Sequence, residues 1–153
     1  YREVIHRDLK SHNLLVDENW KVKVCDFGLS KKVEDLSKQM TACGTPCWTA
    51  PEILRNARYS TKADVYSFGV VLWEMVTRAE PFSGMPPFQI IFAVGQKRMR
   101  PVIPPSCPTE MKRLIELCWQ DDPNLRPTFS EIIDYLNQWQ TDDGIEDEPV
   151  STL

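Results

Sequence analysis

Asp8, Lys10, Asn13 and Asp26 are the residues of this chain whose types and spacing could do chemistry together. Three of them stand in the run His6-Arg7-Asp8-Leu9-Lys10-Ser11-His12-Asn13, and the fourth opens Asp26-Phe27-Gly28. A hairpin of a few residues between Asn13 and Asp26 would bring an amide oxygen and a carboxylate to one place. Hard oxygen donors of this kind suit magnesium, which takes one or two carboxylates together with water and substrate phosphates. A lysine beside them fits a polyphosphate ligand. Asp8 is then free to accept a proton from an attacking hydroxyl.

The elements that must position these residues can be read from the patterning. Leu14-Leu15-Val16 and Lys21-Val22-Lys23-Val24-Cys25 read as two short strands around the turn Asp17-Glu18-Asn19-Trp20, and alternation in the second predicts one buried face. Residues 29–48 have neither helical nor strand periodicity, and a segment of that length is usually functional. Ser60-Thr61 opens a helix running to about Thr77. It is apolar on nearly every side, which places it in the middle of a domain. Pro87 suits the first turn of a helix holding Phe88, Ile91 and Phe92. Met111, Leu114, Ile115 and Cys118 recur at helical spacing, as do Phe129, Ile132, Ile133 and Leu136, with Thr128 and Glu131 forming a capping box for the latter. Residues 140–153 are acidic without periodicity from Thr141 on, and are expected to be a disordered tail.

With 153 residues and 42% hydrophobic content, the chain has material for one domain with a true core. The net charge of −4 argues against binding nucleic acid or an anionic membrane by bulk attraction. The longest apolar runs, such as Val70-Val71-Leu72-Trp73, are too short to span a bilayer. No signal-peptide pattern follows Tyr1. Cys25, Cys43, Cys47, Cys107 and Cys118 form no regular framework, and no second Cys/His pair stands at zinc-finger spacing beside Cys43 and Cys47. They read as reduced intracellular thiols.

His6 to Asn13, Asp26-Phe27-Gly28 and Ala50-Pro51-Glu52 resemble the catalytic loop, the metal motif and the end of the activation segment of a eukaryotic protein kinase. The likeness continues through Asp64-Val65-Tyr66-Ser67-Phe68-Gly69 and Cys118-Trp119 to Asp122-Pro123-Asn124-Leu125-Arg126-Pro127, so it covers about residues 1–139. It implies an α+β, protein-kinase-like fold, of which this chain would be the mostly helical C-terminal lobe with a small catalytic β-hairpin. ATP and Mg2+ are implied with it. Asp8 is similar to the base that takes the substrate hydroxyl proton, and Asn13 and Asp26 to the magnesium ligands. Lys10 resembles the lysine that steadies the transferred phosphate, and Thr45 the threonine that ties Asp8 and Lys10 to the substrate-binding segment.

Other positions acquire supporting roles from the same resemblance. Leu15 would pack beneath the adenine ring, supported by Val71 and Met75. His6 and Phe27 would stack in an apolar column, and Asp64 would hold the backbone of the catalytic loop. Glu52 and Arg126 resemble the pair that bonds the activation segment to the later helices. Arg7 marks kinases whose segment is ordered by phosphorylation, with Thr41 at the usual phosphosite and Lys31 joining Arg7 around it. Ser37 and Thr45 compete for that role. His12 reads as an exposed loop residue, Cys25 as an inert thiol facing the nucleotide site, and Ser151-Thr152-Leu153 as the end of a tail.

Lys10 and Gly44-Thr45-Pro46 resemble serine/threonine kinases, whereas Trp48-Thr49-Ala50-Pro51-Glu52, Ser67 to Glu74 and Cys118-Trp119 look like tyrosine kinases. That mixture is typical of the tyrosine-kinase-like group, whose members mostly modify Ser or Thr and include kinase-kinase-kinases. The resemblance therefore implies transfer of the ATP γ-phosphate to Ser/Thr hydroxyls of protein substrates, in cytoplasmic signalling under an upstream activator. A tyrosine or dual-specificity kinase is one competing reading. A pseudokinase scaffold is another, and intact Asp8, Lys10, Asn13 and Asp26 speak against it. The family's Gly-rich loop, its Val-Ala-Ile-Lys strand and the acidic helix that pairs with that lysine are not in the chain. The enzyme reading thus applies to a parent protein, and the 153 residues alone are expected to be inactive.

Overall fold

The computed structural model describes residues 4–32 and 45–142. Among the described residues, four short strands form two separate antiparallel pairs. β1 (Val4–Ile5) pairs with β4 (Lys31–Lys32), Ile5 opposite Lys31. Between them, β2 (Leu14–Val16) and β3 (Val22–Val24) make the hairpin expected from the sequence, in the register Leu14↔Val24 and Val16↔Val22. Asp17 organises its turn, accepting the backbone N–H groups of Asn19 and Lys21 at 3.0 Å each. Such a side-chain acceptor does the work of a backbone turn bond.

The predicted buried face of the second strand is not observed: Val22 and Val24 are both exposed. Leu14 of β2 is the hairpin residue packed against the helical core, partly buried there. A three-residue ribbon offers so few inward positions that one leucine takes the whole contact, and alternation turns Leu15 to the other side.

The core is built on α2 (Lys62–Thr77). Ser60 Oγ accepts the Lys62 N–H at 3.3 Å, and the helix is buried from Ala63 through Tyr66 and again from Val70 to Trp73. It ends at Arg78, whose left-handed φ of 54° turns its N–H back to the Glu74 carbonyl at 2.7 Å. α4 (Thr109–Cys118) packs across it through Leu114, Ile115 and Cys118, the face that the periodicity predicts. Gly69 permits the approach, since a Cβ there would lie 2.7 Å from Cys118 Cβ. Burial pushes the Cys118 thiol up to about 12, in keeping with an inert packing role. Gly69→Ala is expected to cost about 1–3 kcal/mol by overpacking this crossing, read from urea unfolding. An unchanged midpoint would show that the two helices can separate freely.

α5 (Phe129–Asp142) starts at the predicted capping box. The Thr128 N–H donates to Glu131 Oε2 at 2.7 Å, and the Glu131 N–H to Thr128 Oγ1 at 3.2 Å. Its buried stripe is narrower than the pattern suggests. Ile132 is buried and Leu136 partly so, whereas Ile133 is exposed. α5 reaches one residue past Thr141 to Asp142, and the remaining residues read as a tail lie outside the described residues. Two elements carry no periodic signal or an altered one. α1 (Pro51–Leu54) is a single turn, too short to show a period, with Pro51 at its first position. α3 (Pro87–Gly95) begins at Pro87 as expected, but it buries Ile90, Ala93 and Val94 and leaves Phe88, Ile91 and Phe92 exposed.

Arg126 locks these parts together. Its fully buried guanidinium makes a fork of two 2.7 Å bonds to the Glu52 carboxylate of α1. Its remaining N–H groups reach the carbonyls of Gln120 at 2.8 Å, Lys62 at 2.8 Å and Asp121 at 3.3 Å. Among the described residues, no helix is long and apolar enough to cross a membrane.

Candidate active site

The loop from His6 to Asn13 is suspended from the core by one buried carboxylate. Asp64, in the first turn of α2, accepts the His6 N–H at Oδ2 (2.8 Å) and the Arg7 N–H at Oδ1 (3.0 Å). Its oxygens go to the loop, which is the role predicted for it. Burial pushes its carboxyl above the usual carboxylate value, against the pull of the two N–H groups. Arg7 has a φ of 72°, a left-handed conformation that costs a side-chain residue about 1–2 kcal/mol. The paired bonds from Asp64 hold the chain in that turn, which presents Asp8 next.

His6 is buried and structural. The Asp8 N–H donates to Nδ1 at 3.3 Å, so Nε2 carries the ring proton and donates to the Cys25 carbonyl at 2.9 Å. Its ring meets Phe27 edge-on, with centroids 4.8 Å apart. The predicted stack is thus present as a pair, but Phe27 is 56% exposed and does not sit inside a closed apolar column. Among the described residues, His6 is its one aromatic neighbour.

Asp8, Lys10, Asn13 and Thr45 come together as one hydrogen-bonded group. Lys10 Nζ lies 3.0 Å from Asp8 Oδ2 and donates to Thr45 Oγ1 at 2.8 Å. The Thr45 N–H donates to Asp8 Oδ1 at 3.2 Å. Asn13 is buried in a 3-10 turn, Ser11–Asn13, and its Nδ2 donates to the Asp8 carbonyl at 2.8 Å. That bond fixes which end of the amide is engaged and leaves Oδ1 as the available acceptor. The Cys25 N–H donates to the Asn13 carbonyl at 2.9 Å, extending the hairpin and placing Asp26 beside its open end.

Asp26 also takes a left-handed φ, 61°, and its Oδ1 accepts the Gly28 N–H at 3.3 Å while the side chain stays exposed. Leu15 is 56% exposed on the hairpin's outer face. Of the two α2 residues expected to support it, Val71 is buried in the core against which Leu14 packs, and Met75 is exposed. Arg7 places its guanidinium over the Tyr59 ring at 5.9 Å. His12 is exposed, as predicted, with its ring edge-on to Trp48. Thr41, Ser37 and Cys43 lie outside the described residues, and Lys31 is described only as strand backbone.

The sequence reading missed the anchoring of the segment after Thr45. Ser67 Oγ donates to the Trp48 carbonyl at 2.7 Å, and the Trp48 indole N–H donates to Glu74 Oε2 at 2.7 Å. Glu74 Oε1 accepts the Ser11 hydroxyl at 2.9 Å. The available signal was a polar residue on an otherwise apolar helix, which must find a partner when it turns inward.

The donor set fits a hard divalent cation. Asn13 Oδ1 and the exposed Asp26 carboxylate are two oxygen donors at one end of the hairpin. No group of three or more His, Cys, Asp or Glu side chains that could hold a metal exists among the described residues. Magnesium is the ion that accepts so few protein ligands, drawing the rest from water and phosphate. Lys10 uses two of its three N–H groups on Asp8 and Thr45, so a third remains for an anion. Asp8 is a carboxylate within reach of an incoming proton donor.

A family model described as protein tyrosine and serine/threonine kinase matches residues 1–136. Probable serine/threonine-protein kinase drkB of Dictyostelium discoideum is 55% identical over 148 residues, which cover 97% of this chain and 21% of that protein. Probable serine/threonine-protein kinase drkC of the same organism is 59% identical over 136 residues, covering 87% and 18%. Dual specificity protein kinase shkA, also from Dictyostelium discoideum, is 48% identical over 149 residues, covering 94% and 28%. The chain spans less than a third of the length of each of these relatives.

Proposed function

The chain belongs to the protein tyrosine and serine/threonine kinase family, and from that premise we propose that residues 1–139 serve as the helical lobe of a serine/threonine protein kinase acting in intracellular signalling. The observation that carries the reading is the joined group of Asp8, Lys10, Asn13 and Thr45. A fold kept only for binding would gain nothing from a lysine and a carboxylate held 3.0 Å apart beside free oxygen donors.

In the proposed reaction, a Ser or Thr hydroxyl of a protein acceptor approaches Asp8. Its oxygen bonds to the γ-phosphorus of ATP, its proton passes to an Asp8 carboxylate oxygen, and the bond from phosphorus to the ADP oxygen breaks. Lys10 offers its third N–H to the transferred phosphate and keeps Asp8 turned toward the acceptor. Thr45 fixes both from the far side. Asn13 Oδ1 and Asp26 would hold magnesium, which when bound offsets the charge of the phosphates. On this reading Leu15 lies against the adenine, and Arg7 answers a phosphate on Thr41, a residue outside the described ones.

The full-length protein, given labelled ATP, Mg2+ and a mixed peptide library, is expected to yield phosphoserine and phosphothreonine on acid hydrolysis. Phosphotyrosine beside them would favour dual specificity, a reading that the name of the shkA relative also supports. No labelled amino acid of any kind would leave the scaffold.

A further inference from the structure

We infer that the outer face of α3 is a docking surface, outside the Asp8 site, for an acidic segment of a partner protein that carries an apolar anchor. The helix divides its apolar residues between two faces. Ile90, Ala93 and Val94 turn into the core, whereas Phe88 and Phe92 stay 69% and 56% exposed. At a spacing of i and i+4, these two rings stand one above the other on the same face.

The loops at both ends of the helix close around them. Met85 approaches from the preceding loop and Met99 from the following one, and with Ala93 and Lys97 they line a groove of about 420 Å³. That volume is within the range of pockets that hold a ligand group. Its end is fixed by backbone bonds: the Lys97 and Met99 N–H groups both donate to the Ala93 carbonyl, at 3.1 and 2.9 Å. Arg98, between them, has a left-handed φ of 55°, so the chain turns back and brings Met99 onto the helix. The two thioether side chains are unbranched and can adapt to what enters.

Cations outnumber the carboxylate they share at this end of α3. Lys97 holds its ammonium 5.7 Å from the centroid of the Phe92 ring. Arg98 is 74% exposed and lies 3.4 Å from Asp121. Asp121 is already engaged by Arg55 at 2.7 Å and also meets Arg100 at 3.6 Å. One carboxylate therefore answers three guanidinium groups, and Lys97 adds a fourth cation, on a chain whose net charge is −4. An apolar groove with a cationic rim fits a peptide that sets leucine, methionine or an aromatic ring beside aspartate or glutamate. The negative charge of the chain as a whole works against a nucleic acid or an anionic membrane as the occupant.

The test selects short peptides from a random phage library on the immobilised full-length protein, then measures the enriched ones, fluorescein-labelled, by anisotropy. Enriched sequences are expected to pair acidic residues with large apolar ones. Phe88→Ser should weaken their binding about tenfold, as for an anchor residue of an interface. Lys97→Glu should weaken it severalfold and reduce its dependence on salt. Both side chains are exposed, so the melting temperature should stay at the wild-type value in each variant. Enrichment of basic sequences, or of none whose binding responds to either variant, overturns the inference. A dimer of the full-length protein that Phe88→Ser dissociates would seat a second copy in the groove and overturn it too. So would Lys97-dependent binding to phosphatidylserine vesicles in place of peptides. The readout is binding, so the kinase reading stands or falls separately, on phosphate transfer.

Discussion

Asp8→Asn is expected to lower the rate of phosphate transfer by about 10²- to 10⁴-fold, the usual contribution of a positioned proton acceptor. The side chain is nearly isosteric, so the structure around it should survive. Asparagine can still accept the Thr45 N–H, which now meets Oδ1 at 3.2 Å. Two things are lost. The amide cannot take the acceptor's proton, and it no longer balances the Lys10 ammonium, now 3.0 Å from Oδ2. Lys10 would then turn more fully toward the phosphates, so ATP should bind at least as well as before. The measurement is single-turnover transfer to a saturating peptide, alongside ATP affinity by titration. A rate within a few-fold of wild type would remove Asp8 from the reaction, and a collapse of ATP binding would show that the substitution had disturbed the loop instead.

How far this site could be read in advance depended on whether each residue acts locally or across the fold. Asp8, Lys10, Asn13 and Asp26 sit in two short motifs joined by a hairpin whose turn signal was plain, so local spacing was enough to bring them together. Thr45 and Asp64 came only from the resemblance, because their partners lie 37 and 58 residues away in the chain. Glu74 offered no signal beyond its polarity on a largely apolar helix. It reaches Ser11 across 63 residues and Trp48 across 26, and nothing in the pattern of α2 tells an inward carboxylate from an outward one. The exposed faces were misread for a related reason. Val22, Ile133 and Phe88 are apolar at the right period, but periodicity reports which residues could be buried together, not whether an element lies over them. The single turn of α1 and the two-residue strands β1 and β4 are below the length at which any period exists.

Glu52→Lys should produce the largest loss of stability. Arg126 and Glu52 are fully and nearly removed from water, at 0% and 6% side-chain exposure, and joined by two charge-assisted hydrogen bonds of 2.7 Å each. Such a pair need not stabilise a fold relative to a well-packed apolar replacement, but breaking it by changing one partner costs about 3–5 kcal/mol. Here the usual escape is closed. Arg126 cannot be traded for an apolar side chain without orphaning the carbonyls of Gln120 and Lys62, which it also satisfies. Nor can it shed its proton. A lysine at position 52 therefore faces a buried cation that has nowhere to go, and α1 is expected to leave its place beside α3 and the Arg126 loop. The melting temperature should fall by about 10 °C. Because only Ala50 separates Thr49 from α1, the segment anchored at Trp48 should loosen as well. Activity should then fall at temperatures where α2 and α4 remain folded, as followed by circular dichroism. Glu52→Gln, which keeps one acceptor for the fork, should lose clearly less. Equal melting temperatures for Glu52→Lys and wild type would mean that the Arg126–Glu52 pair does not hold the segment to the helices.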